Sequence, residues 1–118
     1  MSHVLVIEDN WFSACNNVEL ALQAGATSCS MAATQKDAVA QAHLRWPDII
    51  LSDVHLREGT GTLAVQQIID ELGRVPVIFI TAWPERCKPC EPPTVVLTKP
   101  VQVSRFAGLF NNMLIGVE

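Results

Sequence analysis

The chain alternates short apolar runs with longer segments in which apolar residues recur at helical spacing. The first run, Val4 to Ile7, shows no polar alternation and reads as a strand buried on both faces, as parallel strands covered by helices are. After it, Trp11, Cys15, Val18 and Leu22 share one helical face, and Gly25 stands where that helix would stop. Cys29 and Met31 alternate with Ser28 and Ser30, the pattern of a half-exposed edge strand. Thr34 followed by Asp37 is a capping-box signal, and Ala38, Val39, Ala42 and Trp46 continue as an apolar stripe until Pro47. Ile49 to Leu51 predicts a third strand ending at Ser52 and Asp53. Val65, Ile68, Ile69 and Leu72 then keep the spacing of a helix that Gly73 terminates. Val77 to Ile80 and Val95 to Leu97 predict the last two strands, and Val103, Phe106, Ala107, Phe110 and Leu114 share the face of a closing helix.

One interval departs from this βα rhythm. Between Thr81 and Thr94 lie Pro84, Pro89, Pro92 and Pro93, four of the seven prolines in the chain. Each would cost about 3 kcal/mol inside a helix, so a loop with at most one helical turn is expected there. The pattern as a whole is that of an α/β domain with a reduced or irregular fourth crossover helix.

Composition narrows the function classes. With 118 residues, 49% of them hydrophobic, the chain can bury one core, and a single domain over residues 1–118 is expected. A net charge of −4 from only eight Lys and Arg argues against nucleic-acid binding, which needs clustered cations to neutralise phosphates. The longest apolar run falls far short of a membrane span, and the residues after Met1 run into acids rather than a signal-peptide core. A cytoplasmic protein with its four cysteines reduced is the expectation.

In a parallel α/β sheet, ligands bind beyond the carboxyl ends of the strands. The residues there are Glu8 and Asp9 after the first run, Asp53 after the third, Thr81 after the fourth and Lys99 after the fifth. Carboxylates gathered without His or Cys suit a hard cation such as Mg²⁺, which keeps several waters and accepts phosphate oxygens; the cation would also relieve repulsion among the acids. A carboxylate flanked by an ammonium and a hydroxyl is arranged to attack phosphorus and hold the resulting acyl phosphate. Asp53, alone at its strand end, is the candidate nucleophile, with Glu8 and Asp9 as the metal pair.

These marks, Glu8-Asp9, Asp53, Thr81-Ala82 and Lys99-Pro100 in order along the whole chain, resemble the receiver domains of two-component response regulators. The run from Val75 through Thr81-Ala82-Trp83-Pro84 to Arg86, with Leu97 to Pro100, looks like the receiver of PhyR-type regulators of the general stress response. In that family a sigma-factor-like domain precedes the receiver and captures an anti-sigma factor. Because the acidic pair begins at residue eight, a stand-alone receiver is expected here. The resemblance implies a flavodoxin-like, doubly wound five-stranded sheet of order 2-1-3-4-5. It also implies Mg²⁺, with Mn²⁺ able to substitute, held by Glu8, Asp9, Asp53 and the backbone carbonyl of His55. Asp53 would take phosphate from a histidine kinase or a histidine phosphotransfer protein, and Thr81 and Lys99 would contact the phosphoryl oxygens. Pro100 would follow a cis peptide bond that aims the lysine. Output would pass to a downstream protein partner from a monomer or weak dimer, by relay, as a phosphate sink or as a phosphorylation-controlled binding switch.

Two departures from the family pattern stand out. Most receivers carry Tyr or Phe three residues before the lysine, where this chain has Val96, and the usual fourth helix gives way to the proline-rich interval. The missing ring supports an alternative, a degenerate receiver that serves only to bind protein. An aspartate-nucleophile phosphohydrolase is a further rival, but that family needs a second Asp two residues after the nucleophile, where His55 stands. His55 and Trp83 are also candidates for tuning water access to the site, against the plainer readings of an exposed loop residue and loop packing. Cys87 and Cys90 form a C-x-x-C pair without a second pair at zinc spacing, and read as two loop thiols rather than a redox or metal site. Phe106, Phe110 and Leu114 read first as core, with Leu109 beside them able to add to a docking surface.

Overall fold

The structure, a computed structural model, describes residues 2–54, 56, 58–82, 94–99 and 101–116. Strands β1 (His3–Ile7), β2 (Ser28–Ala32), β3 (Ile49–Ser52), β4 (Val77–Thr81) and β5 (Thr94–Thr98) form one sheet in the order β2-β1-β3-β4-β5. Every neighbouring pair is parallel, with Val4 opposite Cys29 and Ile49, Leu51 opposite Ile78, and Phe79 opposite Val96. Helices α1 (Trp11–Gln23), α2 (Gln35–Leu44), α3 (Gly61–Leu72) and α4 (Val103–Gly116) cover the two faces. The predicted doubly wound sheet is therefore the observed one. The proline-rich crossover, with Trp83, Cys87 and Cys90, lies outside the described residues.

Burial on both faces explains the unbroken apolar runs of β1, β3 and β4. Leu5, Ile7, Ile50, Val77 and Phe79 pack under α2 and α3, whose contribution includes Ala38, Val39, Val65 and Ile68. Val4, Val6, Ile49, Leu51, Ile78 and Ile80 pack under α1 and α4, where Phe106 and Phe110 stack with ring centroids 5.7 Å apart. The helix starts are set by their N-caps: Asn10, Thr34 and Thr60 each accept a hydrogen bond from the backbone N–H three residues on. Gly73 closes α3 at φ 105°, a backbone conformation in which any side chain would be strained.

Three expectations need correction. The core face of α1 is Ala14, Asn17 and Ala21, with Val18 beside it, whereas Trp11, Cys15 and Leu22 are exposed. One residue rotates a helix by about 100°, and the larger apolar side chains mark the wrong stripe because small alanines are what let α1 approach the sheet. Helix α2 ends at Leu44, which leaves Trp46 beyond its stripe and 44% exposed. Val103, the first residue of α4, is exposed rather than part of its core face.

His3, the first residue of β1, is buried with its polar groups paired. Its backbone N–H donates to Asp48 Oδ2 at 2.7 Å, while Nδ1 and Nε2 each lie 2.8 Å from a hydroxyl, of Ser28 and Ser30 respectively. A neutral imidazole needs one donor and one acceptor, and two serines on the edge strand provide both. Burial, then the positive charge of Arg45, push the pKa of His3 below its usual value, with Asp48 opposing. Gly61 has a different role: a Cβ there would collide with the carbonyl of Asp53 and with Ser52 Oγ, so only glycine lets α3 begin against the end of β3.

Two stability measurements follow. Above the unfolded pKa of histidine His3 is neutral in both states; below it the unfolded chain takes up a proton that folded His3 resists. Stability should therefore fall as pH drops from that value through the depressed folded pKa, and His3→Gln should show a shallower acid loss of urea midpoint than wild type. Gly61→Ala should destabilise the fold by about 1–3 kcal/mol in urea unfolding, because the close approach to the Asp53 peptide must open.

Candidate functional site

The ladder of the parallel sheet runs one residue past the strand ends, and this sets the site. Glu8 N–H donates to Ala32 O, Asp53 N–H to Ile7 O and Lys99 N–H to Thr81 O, each at 2.9 Å. Residues from three strands are thus held at the same edge by main-chain bonds that do not depend on their side chains. Asp53 is pinned further. Its Oδ1 accepts from Val54 N–H at 2.7 Å, its carbonyl accepts from Ser52 Oγ at 2.8 Å, and Gly61 N–H bonds to Val54 O at 2.8 Å.

Lys99 joins the acids. Its Nζ lies 3.5 Å from Asp53 Oδ2 and 3.9 Å from Glu8 Oε2. Glu8 is only 4% exposed; Oε1 accepts from Asn10 N–H at 3.1 Å, whereas the buried Oε2 has no hydrogen-bond partner. Burial raises the Glu8 pKa to about 7, helped by the nearby charge of Asp53 and opposed by the Asn10 N–H and by Lys99. Asp53 is half-buried, leaving a face for an incoming group. Thr81 is fully buried at the end of β4, beside exposed Ala82.

Among the described residues, no three His, Cys, Asp or Glu side chains converge closely enough to form a finished metal cage. The expected gathering of three carboxylates is realised for Glu8 and Asp53. Asp9 sits next along the chain, half-buried, outside the Lys99 ion-pair cluster. This arrangement still fits Mg²⁺, which takes one or two carboxylates and fills its octahedron with water and phosphate oxygens. The Oε2 of Glu8, which has no hydrogen-bond partner, is the observation that speaks for it, since a buried carboxylate oxygen facing another acid has only the Lys99 ammonium, 3.9 Å away, to offset its charge.

Val96 is half-buried on β5 and packs against the core under α2 and α3. His55, Trp83 and Pro100 lie outside the described residues. Sequence reasoning missed Gly61 and Asn10, which seat Asp53 and Glu8. A glycine opening an amphipathic helix just after the candidate nucleophile is the signal that points to the first.

The model of the response regulator receiver domain matches residues 4–91. The phyllosphere-induced regulator PhyR of Methylorubrum extorquens is 31% identical over 116 residues, 96% of this chain, which spans 43% of that relative's length. The anti-anti-sigma factor PhyR of Bartonella quintana superposes with a TM-score of 0.85 at 32% identity, over 98% of this chain and 48% of its own. The receiver domain of PhyR from Erythrobacter litoralis gives 0.85 at 32% identity, over 97% and 90%. With Glu8, Asp53 and Lys99 assembled at the strand ends and relatives of this similarity, the chain belongs to the response regulator receiver domain family and its receiver is of the PhyR-like kind.

Proposed function

We propose that this domain is a phosphoacceptor of two-component signalling in which Asp53 takes a phosphoryl group from a protein phosphohistidine. The observation that carries this reading is the Lys99 ammonium set between Asp53 and the buried Glu8. Asp53 Oδ2 attacks phosphorus as the P–N bond to the donor imidazole breaks, and that nitrogen keeps the electron pair. Lys99 is placed to follow the charge from the carboxylate onto the phosphoryl oxygens, with the Thr81 hydroxyl as a second contact. Glu8, Asp9, Asp53 and the His55 carbonyl would hold Mg²⁺, which when bound neutralises the acids and the transferring group. Attack of water on the acyl phosphate returns Asp53 and releases inorganic phosphate. The domain turns over no metabolite, and its output would be protein contact, as relay, sink or switch, in a stress-response pathway of the PhyR type.

A protein donor, rather than a small acyl phosphate alone, is supported by the surroundings. Trp11 and Phe12 open α1 at the strand-end edge and are 72% and 80% exposed, with Leu63 and Val103 exposed in the first turns of α3 and α4. Apolar side chains standing around a charged site suit a partner that covers them.

Incubation with acetyl phosphate and Mg²⁺ should add the mass of one phosphoryl group to wild type and none to Asp53→Asn. Failure to gain it, from acetyl phosphate and from a cognate kinase alike, would leave the protein-binding alternative standing. Lys99→Ala should retain Mg²⁺ binding yet lose most phosphoryl transfer. The double variant Trp11→Ser, Phe12→Ser should slow transfer from a phosphohistidine protein by about tenfold. Its reaction with acetyl phosphate should be unchanged, and equal slowing of both would refute the docking role.

A further inference from the structure

Strand β2 is one edge of the sheet and pairs only with β1. Ser28 N–H donates to Ser2 O and Ala32 O accepts from Glu8 N–H, so the alternate residues Ser28, Ser30 and Ala32 turn their main-chain groups to β1. Those of Cys29 and Met31 therefore point outward along an open edge. Natural edges are usually guarded by charge or proline. Here neither is present: no charged residue and no proline lies between Glu19 and Lys36, the longest uncharged stretch of the chain. At the opposite edge, Pro92-Pro93 and Lys99-Pro100 bracket β5. The helices beside the β2 edge add apolar surface. On α1, Ser13, Asn16 and Leu20 face Lys99, Val101 and Val103, which puts Cys15, Val18 and Leu22 on the β2 side. Cys15 and Leu22 are exposed there, and Val18, Cys29 and Met31 are half-buried at the margin of the core. On α2, His43 bonds Glu71 of α3, so Asp37, Gln41 and Leu44 lie on the other flank, toward β2, with Leu44 79% exposed. Arg45 ends α2 close enough to His3, the partner of Ser28 and Ser30, for its charge to be felt there. Apolar side chains standing on both sides of an unguarded strand edge form a surface that a partner covers.

We propose that this edge pairs with the β2 edge of a second copy of the chain, antiparallel about a two-fold axis through Ser30, so that two sheets join into one. Cys29 of each copy exchanges both main-chain hydrogen bonds with Met31 of the other. The axis stands perpendicular to the sheet, so Cys15 and Leu22 meet their counterparts on one face, and on the other face α2 runs antiparallel to its own copy. Asp37 in the first turn of α2 then comes opposite Arg45 at the far end of the second copy's α2, and symmetry repeats the contact. This match is what selects a second copy over a different protein. A net charge of −4 on each copy opposes association except across a surface whose acids are absent or paired, and the β2 edge is such a surface. The Asp53 sites stand at the strand ends, away from the axis, and stay open, and Trp11, toward the same end of α1, stays free for the phosphoryl donor. A single strand with two helix flanks is small beside the standard of about 800 Å² per partner, so association in the micromolar range is expected. It does not depend on Asp53 being phosphorylated.

Sedimentation velocity of the unphosphorylated protein in reducing buffer, from low micromolar to near-millimolar concentration, tests this. A shift from monomer to dimer is expected across that range, with amide exchange of Cys29 and Met31 slowing as concentration rises. Leu22→Glu and Leu44→Glu, both at exposed positions, should each weaken association by about tenfold or more while leaving the thermal midpoint of the dilute protein unchanged. Asp37→Arg should weaken it by setting two cations against each other, and Arg45→Asp by setting two acids. An equimolar mixture of these two variants should associate as wild type does, because each contact of the mixed dimer again joins unlike charges. Should either charge variant fold poorly, the two leucine variants and the exchange measurement carry the test. A protein that stays monomeric throughout, a dimer indifferent to Leu22→Glu and Leu44→Glu, or exchange at Cys29 and Met31 independent of concentration would overturn the β2 interface. Failure of the mixed charge variants to associate would overturn the antiparallel two-fold arrangement. Asp53→Asn should dimerise as wild type does, so a failed phosphoacceptor reading leaves this result standing.

Discussion

The whole arrangement depends on main-chain hydrogen bonds that continue the parallel ladder beyond the strands. Asp53 to Ile7, Glu8 to Ala32 and Lys99 to Thr81 are bonds between backbone groups, so the side chains they carry are brought together whether or not they attract one another. That matters because two of the three are acids. In a parallel sheet all carboxyl ends lie on one edge, and the helices that follow begin there. Gly61 completes the seating by allowing α3 to start directly against the Asp53 peptide.

On that frame the fold sustains an electrostatic cost. Glu8 is buried near a second carboxylate, with one oxygen hydrogen-bonded by Asn10 and the other unpartnered, and Lys99 offsets only part of the burden at 3.5 and 3.9 Å. A carboxyl whose pKa is raised to about 7 by burial is a group whose charged form gains from added positive charge. The same lysine lies at the border of a second polar region, under α1, where Asn17 is buried without a partner.

The two faces of the sheet differ in kind. Under α2 and α3 the packing is aliphatic apart from Phe79, with Val96 completing it from β5 where many receivers carry a ring. Under α1 and α4 the aromatic pair Phe106 and Phe110 packs densely beneath α4, whereas alanines and Asn17 line α1. The small residues of α1 bring the helix close to β1, and its large ones, Trp11 and Leu22, are left in solvent.

Much of this was legible in the sequence. Uninterrupted apolar runs require burial on both faces, so β1, β3 and β4, the parallel sheet and the placement of Glu8, Asp53, Thr81 and Lys99 at strand ends follow from residue order alone. The Thr34 capping signal placed the start of α2 because that signal is local. Tertiary structure alone decided which stripe of α1 faces inward, since a 100° rotation turns on how closely two backbones can approach rather than on hydrophobicity. It alone also decided that Glu8 and Asp53 pair with Lys99 while Asp9 lies outside those ion pairs, and that His3 and Asn17 are buried. Those are distances between side chains far apart along the chain, and no local periodicity encodes them.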